Sequence, residues 1–410
     1  MAPRRPVPIL LLTLGVCACS DVSSPTIIGG VNVSELFAAP TESEVAAALD
    51  DWSQRDVSAQ NVTMVDSATV SIGFLNADTL GVRVVSHTVS GVRHVGAVIV
   101  PRGAAPGSLP VLVLAHPGDS GVDLDATLAL LAFSMGGTLE SFVTVVPSFR
   151  SETLTFQGVD YPSDGAPSPW DRDVDDALAL LNAALAITPE ADSARIGVLG
   201  LSRGAGVALL MAIRDPRIDE VVEFFGPTDF FGPFVQEVVE EALRGTPRDL
   251  PGLNDLNAQF IQPLKRGELT IADVRPQLVR RSAVYFVDRL PQLQVHHGSA
   301  DSVVSVSQAE RLIEVMQAAG RGPPGFEWYL YPGGGHDPFT LPGSIDRAAE
   351  FLARLGSLVS GASLTADGRR AFDSDARWRR PGSLGILYGV TRTASWHPSK
   401  DGPAQERVRR

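Results

Sequence analysis

Gly200-Leu201-Ser202-Arg203-Gly204 constrains this chain more than any other stretch, because it sets a serine between two glycines directly after a short apolar run. Arg195 to Leu199 reads as a buried strand, and Ala205 to Met211 reads as the start of a helix. A strand that turns straight into a helix through G-x-S-x-G leaves no space for Cβ atoms at the two glycines. Such a turn lifts the Ser202 hydroxyl clear of a sheet. It also aims the positive end of the helix dipole at the place where an oxyanion forms. The pattern predicts a nucleophile at Ser202.

Two further loops extend the set. Leu293 to His297 is an apolar strand ending in Gly298-Ser299-Ala300-Asp301, and Phe326 to Tyr331 is another, ending in Pro332-Gly333-Gly334-Gly335-His336. Each candidate follows the C-terminal end of a strand, where open α/β sheets build their sites. The order Ser202, Asp301, His336 fits a Ser-Asp-His triad on such a sheet. The separation 336 − 301 = 35 residues leaves room for a loop, a helix (Val306 to Ala319) and a strand. Ser202 is a weak nucleophile at neutral pH, so His336 is expected to take its proton. Asp301 is expected to hold the imidazole tautomer and stabilise the imidazolium. For the oxyanion, the backbone N–H of Arg203 is one expected donor. The other is expected in His116-Pro117-Gly118-Asp119, after the apolar run Val111 to Ala115. Pro117 has no N–H to give, which leaves Gly118 or, less favourably, Asp119.

These residues resemble the α/β-hydrolase superfamily, and within it the catalytic domain of prolyl oligopeptidases and the dienelactone-hydrolase-like esterases. The resemblance covers roughly 82–358 and is carried by Leu112 to Gly118, the serine turn, Leu290 to Asp301, and Tyr331 to His336. It implies the α/β-hydrolase fold, a mostly parallel sheet with helices on both faces. It also implies a serine hydrolase that forms an acyl-enzyme on an ester or short peptide, with no organic cofactor and no metal. The chain departs from the family in two places. Too few residues precede the hydrolase part for the β-propeller of prolyl oligopeptidases. The stretch 228–289 also exceeds what a minimal core needs, and is expected to form a helical cap whose Phe230, Phe231 and Phe234 line a substrate pocket. The alternative from another class is a catalytically silent hydrolase fold serving as a surface-anchored binding module.

Along the chain, Val82 to Val89 and Val92 to Val100 read as a hairpin at the sheet edge. Strands at 111–115, 142–146, 195–199, 221–225, 292–296 and 326–331 then alternate with helices at 123–134, 171–186, 204–213, 306–319 and 344–358. Asp171, Asp173, Asp175 and Asp176 stand where a helix should begin and complement its dipole, which argues against a metal there. His296 is expected in the core, His297 to support the acid loop, and His116 to shape the oxyanion loop. The Arg203 side chain reads either as a contact for an anionic substrate group or as a surface ion pair. Asp337 and Asp119 follow no apolar strand in the right place to be the acid.

The N-terminus carries Arg4 and Arg5 before an apolar run from Ile9 to Val16, which reads as an export signal. Val16-Cys17-Ala18-Cys19 resembles a bacterial lipobox with Cys19 as the acylated residue; Cys17 is less suited, with Val16 at the cut. The domain scheme expected is a signal at 1–18, a tether and helix at 19–62, the hydrolase at 63–360, and a tail at 361–410. That tail holds ten basic residues against five acidic ones from Ala362 onward and is expected to be disordered. A formal net charge of −13 argues against a nucleic-acid partner. The partners expected are a small ester or peptide substrate, and a membrane only through the lipid on Cys19, in the cell envelope.

Overall fold

Ser90 and Gly91 both adopt positive φ, +50° and +77°, the backbone of a two-residue turn matched to the twist of its strands. They join two of the first strands of the sheet. The structure, a computed structural model, describes residues 25–71 and 80–357. The expected signal, Cys19 and the basic tail lie outside the described residues.

Helix α1 (Glu42–Ser53) precedes strands β1 (Gln60–Val70), β2 (Leu80–Val89), β3 (Val92–Pro101) and β4 (Leu109–Ala115). Helix α2 (Leu124–Met135), strand β5 (Val143–Pro147), helix α3 (Arg172–Ile187), strand β6 (Ala191–Leu201), helix α4 (Arg203–Arg214) and strand β7 (Ile218–Phe224) follow. Helices α5 (Pro233–Arg244) and α6 (Ile271–Val279) belong to the long insertion. Strand β8 (Gln292–Gly298), helix α7 (Ser307–Ala318), strand β9 (Phe326–Tyr331) and helix α8 (Ser344–Leu352) complete the body.

The nine strands form one sheet in the order β9-β8-β7-β6-β4-β5-β3-β2-β1. Strands β9 to β5 run parallel, and β3, β2 and β1 join antiparallel. Side chains along β4 alternate between faces, as a pleat requires. Val111 and Val113 pack into a cluster with α1, α3, α4 and the insertion, whereas Leu112 and Leu114 pack with α2 and α8. Helices therefore cover both faces.

Two expectations change. The hairpin is not the sheet edge, because β1 pairs outside it with β2. Its sequence, largely polar and exposed, carries no buried alternation to betray a strand. The expected tether at the start of 19–62 is also packed in its described part. Val31, Val33 and Leu36 are buried, and the Arg275 guanidinium donates to the carbonyls of Glu35, Leu36 and Ala38 and to the Glu44 carboxylate. Trp52 of α1 meets Phe286 of the insertion with ring centroids 4.8 Å apart. The N-terminal segment and the insertion thus brace one another. No described helix is long and apolar enough to cross a membrane.

Candidate active site

The turn between β6 and α4 is as tight as its glycines imply. A Cβ on Gly200 would lie 2.3 Å from the Gly204 carbonyl oxygen, and one on Gly204 would lie 2.0 Å from that of Ala115. Ser202 itself sits at φ +53°, ψ −119°, a region that disfavours a side chain. The Ser202 N–H donates to the Phe224 carbonyl at 2.9 Å, which ties the strained residue to the neighbouring strand. Strain at a residue with chemistry to perform is a sign of function.

The three expected side chains converge. His336 Nδ1 lies 2.7 Å from Asp301 Oδ2, and its Nε2 lies 2.8 Å from Ser202 Oγ. A carboxylate can only accept, so Nδ1 carries the proton and Nε2 is left to accept the serine hydroxyl. The Asp301 side chain is fully buried, and its other oxygen accepts the N–H groups of Val303 and Val304 at 2.8 and 2.9 Å. His297 Nε2 donates to the Val304 carbonyl at 2.9 Å, so it supports the acid loop as expected; burial pushes its pKa down. Phe225, at φ +44°, packs its ring 4.3 Å from the His336 ring. Nothing in the sequence singled it out.

Arg203 starts α4, and the first N–H groups of a helix have no acceptor within it. Its side chain is neither at the surface nor free for substrate, which corrects both readings. The guanidinium is 2 % exposed and pairs with Glu152 at 2.5 Å and Asp173 at 2.7 Å. Burial works against its charge, but the Asp173 and Glu152 carboxylates prevail and push its pKa upward. Burial likewise opposes ionisation of Glu152, yet the contact with His116 and the Arg203 charge hold its pKa below the usual value.

This network reaches the loop His116-Pro117-Gly118-Asp119. His116 Nδ1 donates to the Pro117 carbonyl at 3.0 Å, and Arg203 Nη1 donates to the Gly118 carbonyl at 3.1 Å. In a trans peptide the N–H points opposite to the C=O. The Pro117 carbonyl shares its plane with the Gly118 N–H, and the Gly118 carbonyl with the Asp119 N–H. Both candidate donors are therefore held from behind by a side chain. His116 is in turn stacked on Phe149 at 4.4 Å and faces Glu152 at 3.2 Å.

A cavity of about 20 Å³ touches Ser202, bounded also by Arg203, Trp170, Pro227, Phe234 and Val304 among others. Of the three pocket aromatics expected, Phe234 lines it. Phe230 and Phe231 do not: Phe230 lies against Trp170 at 5.1 Å, and Phe231 against Tyr285 at 5.9 Å. A larger apolar cavity of about 140 Å³ lies between α2 and α8, with Leu201 and Phe339 among its walls. None of the three converging side chains lines it.

The remaining candidates sit apart from the chemistry. His296 is buried, bonded to Tyr331 and Gln294 at 2.8 Å each, and pushed down to about 3 by burial. Asp337 caps a short turn through the Phe339 N–H. The four aspartates near the start of α3 are buried and paired with Arg55, Arg203, Arg214 and Arg150, so arginines rather than the helix dipole account for most of their charge. Among the described residues, no group of three or more His, Cys, Asp or Glu is placed to hold a metal ion.

No family model and no curated protein matches the chain. Solved structures do. An acetyl xylan esterase from a Thermoanaerobacterium species is similar with a TM-score of 0.50 and 20% identity, over 77% of this chain and 93% of that one. A Paenibacillus acetyl xylan esterase has a TM-score of 0.49 and 20% identity over 78% and 99% of the respective chains. The Pyrococcus horikoshii acylaminoacyl peptidase has 0.48 and 15%, over 73% of this chain but only 43% of that one. At these identities the likeness concerns architecture. With the sheet order, the serine turn and the strand-end loops described above, the likeness to the Thermoanaerobacterium esterase establishes that this chain has the α/β-hydrolase fold.

Proposed function

We propose that this chain is a serine hydrolase that cleaves an ester or a short peptide through an acyl-enzyme on Ser202. The observation that carries the reading is the hydrogen-bonded row from Asp301 through His336 to Ser202, at 2.7 and 2.8 Å. Ser202 Oγ attacks the substrate carbonyl carbon while its proton passes to His336 Nε2. Negative charge gathers on the former carbonyl oxygen, where the N–H groups of Arg203 and Gly118 receive it. The tetrahedral adduct collapses, and the alcohol or amine departs with the proton from Nε2. Water then repeats the sequence on the acyl-serine, and the acid is released. Asp301, buried beside the ring, stabilises the imidazolium in both halves without taking the proton.

The test is hydrolysis of p-nitrophenyl esters and aminoacyl-p-nitroanilides by wild type and Ser202→Ala. Turnover of either class that falls by several orders of magnitude in the variant is expected. Turnover that survives the substitution refutes the reading. The sequence adds export and lipidation at Cys19 to this proposal. Metabolic labelling with palmitate should mark the wild type and miss Cys19→Ser.

A further inference from the structure

Strand β7 carries a carboxyl group where a strand buried inside a parallel sheet is normally apolar. Its residues from Glu220 to Phe224 are all buried, and Glu223 is 0 % exposed. Glu223 Oε2 accepts the Gly226 N–H at 2.9 Å, while among the described residues nothing bonds to its Oε1. Burial pushes its pKa up to about 8, so the group is a neutral acid at neutral pH. A buried polar atom left unpaired costs stability, and its presence calls for an explanation.

The explanation lies in the turn that Glu223 holds. Phe224, Phe225, Gly226 and Pro227 leave β7 and run past the proposed triad. The Phe224 carbonyl accepts the Ser202 N–H at 2.9 Å, the Phe225 ring lies 4.3 Å from that of His336, and Pro227 borders the space beside Ser202. Phe225 sits at φ +44°, a conformation that a bulky side chain keeps only where its surroundings over-determine it. Those surroundings are the hydrogen bonds of the turn's own backbone. The Phe225 N–H donates to the His296 carbonyl at 2.8 Å, and the Gly226 N–H donates to Glu223. Beyond Pro227, which has no N–H, the Thr228 and Asp229 N–H groups both donate to Gln308 Oε1 of α7 at 2.8 Å. A Cβ on Gly226 would lie 2.6 Å from Ala205 Cβ, so the turn is pressed against α4. The Gly226 N–H belongs to the peptide that sets ψ of Phe225, and the Glu223 bond therefore acts directly on the strained residue.

We propose that Glu223 is a positioning residue: its carboxyl accepts the Gly226 N–H and locks the Phe225 turn, which keeps the Ser202 hydroxyl and the His336 ring at bonding distance. The inference rests on the acyl-enzyme reading above. Glu223 bonds to no member of the triad and acts through Phe224 and Phe225. The position requires an acceptor at the reach of a glutamate and no charge. Glutamine supplies one through its amide oxygen, methionine has only a weakly accepting thioether, and aspartate is one methylene short. Glu220 provides a control within the same strand. It is equally buried and both its carboxyl oxygens are unpaired, but it stands three residues earlier and its side chain lies on the opposite face of the sheet.

The experiment measures kcat and KM for p-nitrophenyl butyrate, together with the rate of fluorophosphonate labelling of Ser202. Wild type, Glu223→Gln, Glu223→Met, Glu223→Asp, Glu220→Met and Ser202→Ala are compared, with near-ultraviolet circular dichroism to score native packing. Glu223→Gln should keep kcat and labelling rate close to wild type. Glu223→Met and Glu223→Asp should lose about 10- to 100-fold in both with little change in KM, since misplacement by about 1 Å costs up to about 10²-fold. Glu220→Met should alter stability and leave kcat unchanged. A natively packed Glu223→Met or Glu223→Asp with wild-type kcat overturns the inference. A Glu223→Gln whose kcat falls into the range expected for those two overturns it as well. So does a Glu220→Met that loses as much kcat as Glu223→Met, because burial alone then accounts for both. Each of these results leaves the serine-hydrolase reading standing as long as Ser202→Ala is inactive. Turnover that survives Ser202→Ala, or a wild type whose Ser202 takes no label, sinks that reading too.

Discussion

At the scale of single residues, the three side chains of the proposed triad are held by neighbours outside it. Phe225 fixes one face of the His336 ring at 4.3 Å, and its removal frees the imidazole to rotate away from Ser202. Phe225→Ala should lower kcat by up to about 10²-fold with a smaller change in KM, since misplacement of about 1 Å costs that much. Arg203 ties Glu152 and Asp173 to the loop after β4, all three side chains being buried. Arg203→Met should destabilise by about 3–5 kcal/mol in urea unfolding, because it strands two buried carboxylates without their cation. Wild-type stability in that variant would show that the pair is dispensable. Ser202, Asp301 and His336 were legible in the sequence because motif, strand end and chain order all pointed to them. Phe225, Trp170 and the true direction of the Arg203 side chain were not. Their positions follow from contacts with residues far away in the chain, such as Phe230 and Glu152, and no local pattern encodes those.

At the scale of elements, the insertion does two things: it supplies Phe234 and Leu253 to the cavity at Ser202, and it clasps the N-terminal segment. Arg275 of α6 holds that clasp through Glu44 and the backbone carbonyls of Glu35, Leu36, Ala38 and Ala39. Hydrogen bonds to charged groups are worth about 1.5–3 kcal/mol each. Arg275→Ala should therefore lower Tm and expose the backbone of residues 27–38 to faster hydrogen exchange. An unchanged exchange pattern there would mean the clasp is decorative. The parallel strands and their helices were readable from apolar runs bounded by turn residues. The insertion was readable as helical but not in the contacts it makes, and β1 not at all, since an edge strand with polar faces has no periodic signature.

At the scale of the whole molecule, burial sets opposed titrations that bound the pH range of stability. His87 is pushed down to about 4, and His94 and His296 to about 3, all by burial. Unfolded, they take up protons near pH 6.5, so stability falls as pH drops below that value and continues falling to about 3. Glu220 and Glu223 are pushed up to about 8 by burial. They stay protonated in the folded chain but ionise near 4.5 when unfolded, so their contribution to stability falls steadily from that pH up to about 8. Burial also pushes Asp176 up to about 7, so thermal melts should give the highest Tm between about pH 5 and 6, with declines on both sides; a Tm still rising at pH 9 would contradict this. The measurement that bears most directly on the proposed chemistry is covalent labelling with a fluorophosphonate, mapped by peptide mass spectrometry. One phosphonyl group on Ser202, absent from His336→Ala and from Asp301→Ala at matched exposure, is the result predicted. A wild-type protein that stays unlabelled, or carries its label on another residue, contradicts it.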